Sequence, residues 1–135
     1  MVNGVGFGSR TLDASEITSL WVQENGMASG AFATLKDSSG ADFQVAVGKN
    51  LVIDLIIANT SGASSPEKCE FGYSDDSSGT NYLKIIPQEI MSDSTTARYV
   101  TECLIRIPAT KYPILKSTAT NLNFVGMFRG MESNV

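Results

Sequence analysis

Apolar and polar residues along this chain alternate with the period of a β-strand, in short runs divided by clusters of Gly, Ser, Asn, Asp and Pro. The runs fall at residues 17–22, 29–35, 43–47, 51–59, 68–73, 82–86, 97–107, 112–115 and 121–129. Turn chemistry separates them: Asn25-Gly26, Asp37-Ser38-Ser39-Gly40, Gly48-Lys49-Asn50, and the polar stretches 60–66 and 74–80. Pro87 and Pro108 end the runs they follow, because proline donates nothing to a strand ladder. No helix of two turns or more is predicted; residues 87–92 make at most one short helical turn. Short strands in this number must close on themselves or stack as two sheets to bury their apolar faces. The expected fold is therefore all-β, a single-domain antiparallel β-sandwich of which a jelly roll is one form, with a closed barrel as the alternative. The domain would span 11–135, behind an extended N-terminal arm at 1–10.

Face assignment adds a functional hint. Strict alternation in 51–59 puts Leu51, Ile53, Leu55 and Ile57 on one face, and Val52, Asp54, Ile56 and Ala58 on the other. A face left to water should be polar, so the second face meets either a covering loop or another subunit. The run 121–129 repeats the theme, with Leu122, Phe124 and Phe128 on one face and Val125 and Met127 on the other. The Gly-rich arm carries Val5 and Phe7, and is either a mobile terminus or a strap that orders against a neighbour. Val5, Phe7, Val52 and Ile56 are thus the candidate contacts with another subunit.

Size and composition narrow the partners. At 135 residues the chain can bury roughly two-thirds of its unfolded surface. Its hydrophobic content of 42% is ordinary, while only 18% of residues are charged. A net charge of −4, with the basic residues scattered, excludes electrostatic grip on nucleic acid. No run is apolar and long enough to span a membrane, and Asp54 interrupts the longest one. The first ten residues lack the apolar core of a signal peptide, so synthesis in a reducing cytoplasm is expected. The two cysteines fit that compartment: Cys69 aligns with Phe71 and Tyr73, and Cys103 with Ile105 and Ile107, as small core groups rather than a disulfide framework.

Catalytic chemistry finds little to use. The absence of histidine removes Ser-His and Cys-His nucleophile pairs and the commonest zinc ligand. The segment Gly4-Val5-Gly6-Phe7-Gly8 lacks the Lys-Ser/Thr ending of a phosphate-binding loop. Glycoside hydrolysis needs only two carboxylates, but nothing places Asp54, Glu70 and Glu102 across one cleft. The stretch Asp75-Asp76-Ser77-Ser78-Gly79-Thr80-Asn81 offers calcium-type oxygens without EF-hand spacing, and its residues are equally those of a polar turn. Trp21, lone in an apolar run, is assigned to the core, with a sugar-stacking platform as the alternative. No enzyme activity, cofactor or metal is expected.

Two patches carry a family resemblance. Phe71-Gly72-Tyr73-Ser74-Asp75-Asp76-Ser77-Ser78-Gly79-Thr80-Asn81-Tyr82 resembles a segment of small virion proteins of tailed bacteriophages, in which an aromatic-Gly-aromatic strand end enters an Asp/Gly/Thr-Asn turn. Ile107-Pro108-Ala109-Thr110-Lys111-Tyr112-Pro113 resembles the Ile/Val-Pro-Ala turn before a late strand of the same proteins. The resemblance implies a β-sandwich without catalytic residues. It would act as a capsid decoration (cement) subunit bound to the major capsid protein outside the head, as a homotrimer located in the virion. A tail or fibre component, receptor-binding, is the alternative within that family. A free carbohydrate-binding module is the alternative outside it.

Overall fold

In the computed structural model the described residues are 17–62, 69–86 and 97–134, with the backbone alone for 17 and 97–103. They form β1 (Ile17–Met27), β2 (Phe32–Thr34), β3 (Lys49–Ser61), β4 (Cys69–Ser74), β5 (Leu83–Ile86), β6 (Ala97–Ile107), β7 (Tyr112–Ser117) and β8 (Leu122–Asn134). No described residue is helical, so among the described residues no helix is long and apolar enough to cross a membrane. The arm 1–10 with Val5 and Phe7 lies outside the described residues, as does the turn expected at 87–92.

The strands pair antiparallel throughout, in two four-stranded sheets. Sheet one runs β1-β8-β3-β6 and sheet two β2-β7-β4-β5. Their inner faces share one core. Leu20, Ile53 and Phe128 of sheet one join Ala33, Phe71 and Leu115 of sheet two in a single apolar cluster. The rings of Phe71 and Phe128 stack across the gap, centroids 5.0 Å apart. The sheets are also linked at one edge. Beyond β2 the chain crosses over and pairs Lys36 with Trp21 of β1, through N–H···O bonds of 2.9 and 2.7 Å.

One expected strand is not a strand. Val45 is buried as its alternation requires, yet 43–47 joins no ladder. It crosses between two partners that each offer little: Phe43 N–H donates to the Leu35 carbonyl, while Val45 exchanges bonds with Lys111 and Thr110. Val45, with Phe43 packed partly buried against the core, is thus held by a segment with no neighbouring strand, and Val47, in the same phase, is exposed.

The second correction concerns β3. Two steps along β3, from Ile53 to Leu55, match one step along β8, from Gly130 to Arg129. Asp54 is the extra residue of a β-bulge, and a bulge reverses the alternation beyond it. Before it Leu51 and Ile53 point inward; after it Ile56 and Ala58 do, and Ile57 turns out. Ile56, expected as a contact residue beside Val52, is a core residue with 1% of its surface exposed. Gly130 makes room for the bulge. A Cβ there would stand 2.8 Å from the Val52 carbonyl oxygen and 2.9 Å from Leu51 Cδ1.

Candidate docking surface

Antiparallel strands bring opposite residues to one face, so the register of sheet one draws its outer surface row by row. Trp21 of β1 pairs with Met127 of β8, Met127 with Ile57 of β3, and Ile57 with Val100 of β6. The next row holds Gln23, Val125 and Asn59; the row on the other side holds Ser19, Arg129 and Leu55. Trp21, Ile57, Val125 and Met127 are exposed by 39, 42, 48 and 52%. Four large apolar side chains therefore stand together on a face where polar residues are the rule.

Polar groups are fixed at two edges of this patch. Arg129 donates to both carboxylate oxygens of Asp54, Nε to Oδ1 at 3.0 Å and Nη2 to Oδ2 at 3.1 Å. Asp54 meets this partner from the bulge itself, on the outer face where its alternation with Val52 already places it. At the opposite edge the Trp21 indole N–H donates to the Asp37 carbonyl at 2.8 Å, which holds the ring in place. An apolar centre within a polar rim is the anatomy of a protein interface.

Sheet two differs, because its outer face is covered by the chain itself. Ile114, in register with Thr34 and Gly72, is fully buried although it stands apart from the main core cluster. Over this face folds the loop 75–82. Thr34 Oγ1 donates to the Ser77 carbonyl, Gly79 lies so close to Phe32 that a Cβ would stand 2.6 Å from its ring, and Tyr82 meets the same ring edge-on at 5.2 Å. Lys116 sets its ammonium over both rings, 5.6 and 5.8 Å from their centroids. Burial, with the Glu70 carboxylate nearby, pushes the Tyr82 phenol well above its ordinary pKa.

That loop is held as a polar turn. Asp76 Oδ1 accepts from Ser78 N–H, Ser78 Oγ and Thr80 N–H at 3.0, 2.8 and 3.1 Å. The loop at 37–41 has the same construction. Asp37 Oδ1 accepts from Ser39 N–H, Ser39 Oγ and Ala41 N–H at 2.9, 2.6 and 3.2 Å. Both segments read Asp-Ser-Ser-Gly, with the glycine at φ +87° in one and +91° in the other, where any other residue is strained. Among the described residues no three acidic, thiol or imidazole side chains gather to hold a metal.

Hydrogen bonds from Thr80 and Ser78 hold the Asp76 carboxyl well below the usual carboxylate range, and the Ser39 hydroxyl chiefly does so for Asp37. A carboxyl depressed on folding stabilises the fold above its unfolded pKa, near 3.8, and that contribution fades as pH falls. The melting temperature is therefore expected to stay level from pH 7 to about 5 and to drop below about pH 4. Asp76→Ala should melt lower than the wild type at pH 7, with the gap closing toward pH 2. A gap independent of pH would show that charge does not hold the loop.

The sequence-predicted residues are thus dispersed. Val52 is half-buried on the outer face of sheet one, in register with Met131 and Arg106, while Ile56 is interior. Asp54 and Glu70 lie on opposite outer faces, Glu70 with its carboxylate 3.8 Å from Lys84 Nζ, so these two acids share no cleft. The side chains of Glu102 and Cys103 lie outside the described residues; Cys69 is buried as its alternation with Phe71 predicts. Trp21, assigned to the core, faces outward. Its neighbours already signalled this, since Ser19 and Gln23 share its phase while Leu20 and Val22 take the other. No protein-family model and no curated protein matches this chain.

Proposed function

We propose that this chain is a non-catalytic assembly module of jelly-roll form. In this reading it is a virion structural protein of a tailed bacteriophage, bound to the major capsid protein outside the head as a decoration subunit. One observation carries the assembly part: the apolar row Trp21-Met127-Ile57, with Val125 beside it, that no described part of the chain covers. The jelly roll is supported by strand pairing. β1 pairs with β8 and β3 with β6 in one sheet, β2 with β7 and β4 with β5 in the other, as though one long antiparallel ribbon were rolled up. Capsid and lectin domains use such rolls, but fold alone names no function; the virion part rests on the resemblance of residues 71–82 and 107–113.

The action would be mechanical. A subunit that binds only the assembled shell stabilises it by mass action, with Val5 and Phe7 of the arm as particle anchors. Density-gradient fractionation of a lysate of the native source tests this. Co-sedimentation near one chain per major particle protein is expected, and deletion of residues 1–10 should abolish it while leaving the melting transition intact. A few copies per particle would move the chain to the tail or fibre. A chain that stays at the top of the gradient ends the virion reading. The exposed ring of Trp21 beside Gln23 then favours carbohydrate binding, tested by retention on immobilised oligosaccharides.

A further inference from the structure

We propose that the outer face of sheet one is a self-association surface, on which two copies of this chain pack about a two-fold axis running along β8. The proposal rests on the assembly reading above and names the occupant of that surface. Three features of the face argue for a second copy. The first is symmetry. β8 lies between β1 and β3, so an axis along it exchanges the outer strands and returns β8 to itself. Trp21 of one copy then faces Ile57 of the other, Met127 faces Met127, Val125 faces Val125, and Gln23 faces Asn59. Each exposed apolar side chain of the patch meets an apolar one, and amide meets amide.

The second feature is charge. A two-fold axis along β8 brings Arg129 of each copy together, a contact that would repel if each guanidinium came alone. Each arrives bound to its own Asp54, so the four groups form a neutral cluster at one end of the apolar patch. The third is area. The three strands that the axis lays on one another, β1, β8 and β3, have 11 to 13 residues each; at about 3.3 Å per residue and about 4.8 Å between strands they make a face of roughly 600 Å². The smallest interfaces of standard size take about that area from each partner, and aligned sheets pack in this way. The trimer expected from the resemblance would instead need a face that is not self-complementary.

Light scattering on the full chain after size exclusion should give twice the 14.4 kDa of one chain. Met127→Lys places two ammonium groups against each other on the axis, and should give the single-chain mass while keeping a cooperative melting transition. Trp21→Lys and Ile57→Glu should each lose the dimer, and the double variant should regain it, because residue 21 of one copy faces residue 57 of the other. Should Trp21→Lys fail to fold, Met127→Lys still decides. A wild type that stays at single-chain mass at its highest soluble concentration overturns the proposal. So does a dimer that Met127→Lys leaves intact, or a well-folded double variant that remains monomeric. A monomeric wild type that Met127→Lys releases from the particle would give the face to a shell subunit, leaving the assembly reading in place. A dimer that never sediments with particles would uphold this pairing and remove the virion reading.

Discussion

Replacing Phe71 with alanine is expected to cost the fold about 3–5 kcal/mol, the usual loss for a fully buried phenylalanine. Phe71 has no exposed surface, and its ring stacks on Phe128 with 26° between the planes. These are one strand from each sheet, so the contact joins the two layers. Collapse around the gap is opposed from both sides. Phe71 is in register with Leu115 and Ile86 in its own sheet, and Phe128 with Leu20 and Ile56 in the other. Domains of this size have only about 5–15 kcal/mol of stability, so the variant should be near unfolding at 37 °C. Urea denaturation is the measurement: the midpoint should fall sharply with an unchanged slope. Met127→Ala, on the outer face, is the control and should stay within about 0.5 kcal/mol when measured on the monomer. A Phe71→Ala loss below about 1 kcal/mol would mean that the two layers are not joined through this contact.

Gly72→Ala should approach that effect by adding a single methyl group. A Cβ at position 72 would stand 1.8 Å from the Leu83 carbonyl oxygen, 2.8 Å from its carbon and 3.0 Å from Lys84 Cα. All three are backbone atoms, so no rotamer change relieves the contact. β4 and β5 must part, at the point where their register already shifts between Phe71 and Gly72. Overpacking of this kind costs about 1–3 kcal/mol, and the upper end is expected because ladder bonds are lost as well. β5 is the edge strand of sheet two, so the damage should be local. Amide exchange should accelerate across Leu83–Ile86 while β3 and β8 keep their protection. Wild-type exchange along β5 in the variant would show that the strands approach less closely than described.

These two positions were not equally legible. Phe71 shares its phase with Cys69 on a short alternating run, and its inward direction follows from that alone. Gly72 follows it in an aromatic-Gly-aromatic segment, and nothing local says that the backbone of residue 83 passes over it. The same division runs through the docking surface. Val125 and Met127 were assigned outward from the alternation of β8, and Trp21 would have been, had its phase been weighed above its size. Ile57 and Ile56 were assigned to each other's faces, because the run Leu55-Ile56-Ile57-Ala58 carries no polar residue to betray a reversal.

By itself, then, the sequence determined the strand content, most strand limits, the turns at 37–40 and 74–80 and the inward direction of residues such as Cys69 and Phe71; the turn expected at Asn25-Gly26 lies inside β1, at its register shift. Those properties depend on neighbours along the chain: proline and glycine dihedrals, Asp and Ser bonds to nearby backbone, and alternate placement of side chains. Tertiary structure alone decided the reversal at Asp54, the loss of a ladder at 43–47 and the burial of Ile114 beneath the loop 75–82. It also decided that Trp21, Met127 and Ile57 lie in one row. Each depends on which strand comes alongside and in what register. A one-residue shift in register moves every later side chain to the opposite face, so the outer surface of this protein was set by pairing between residues as far apart as Trp21 and Met127.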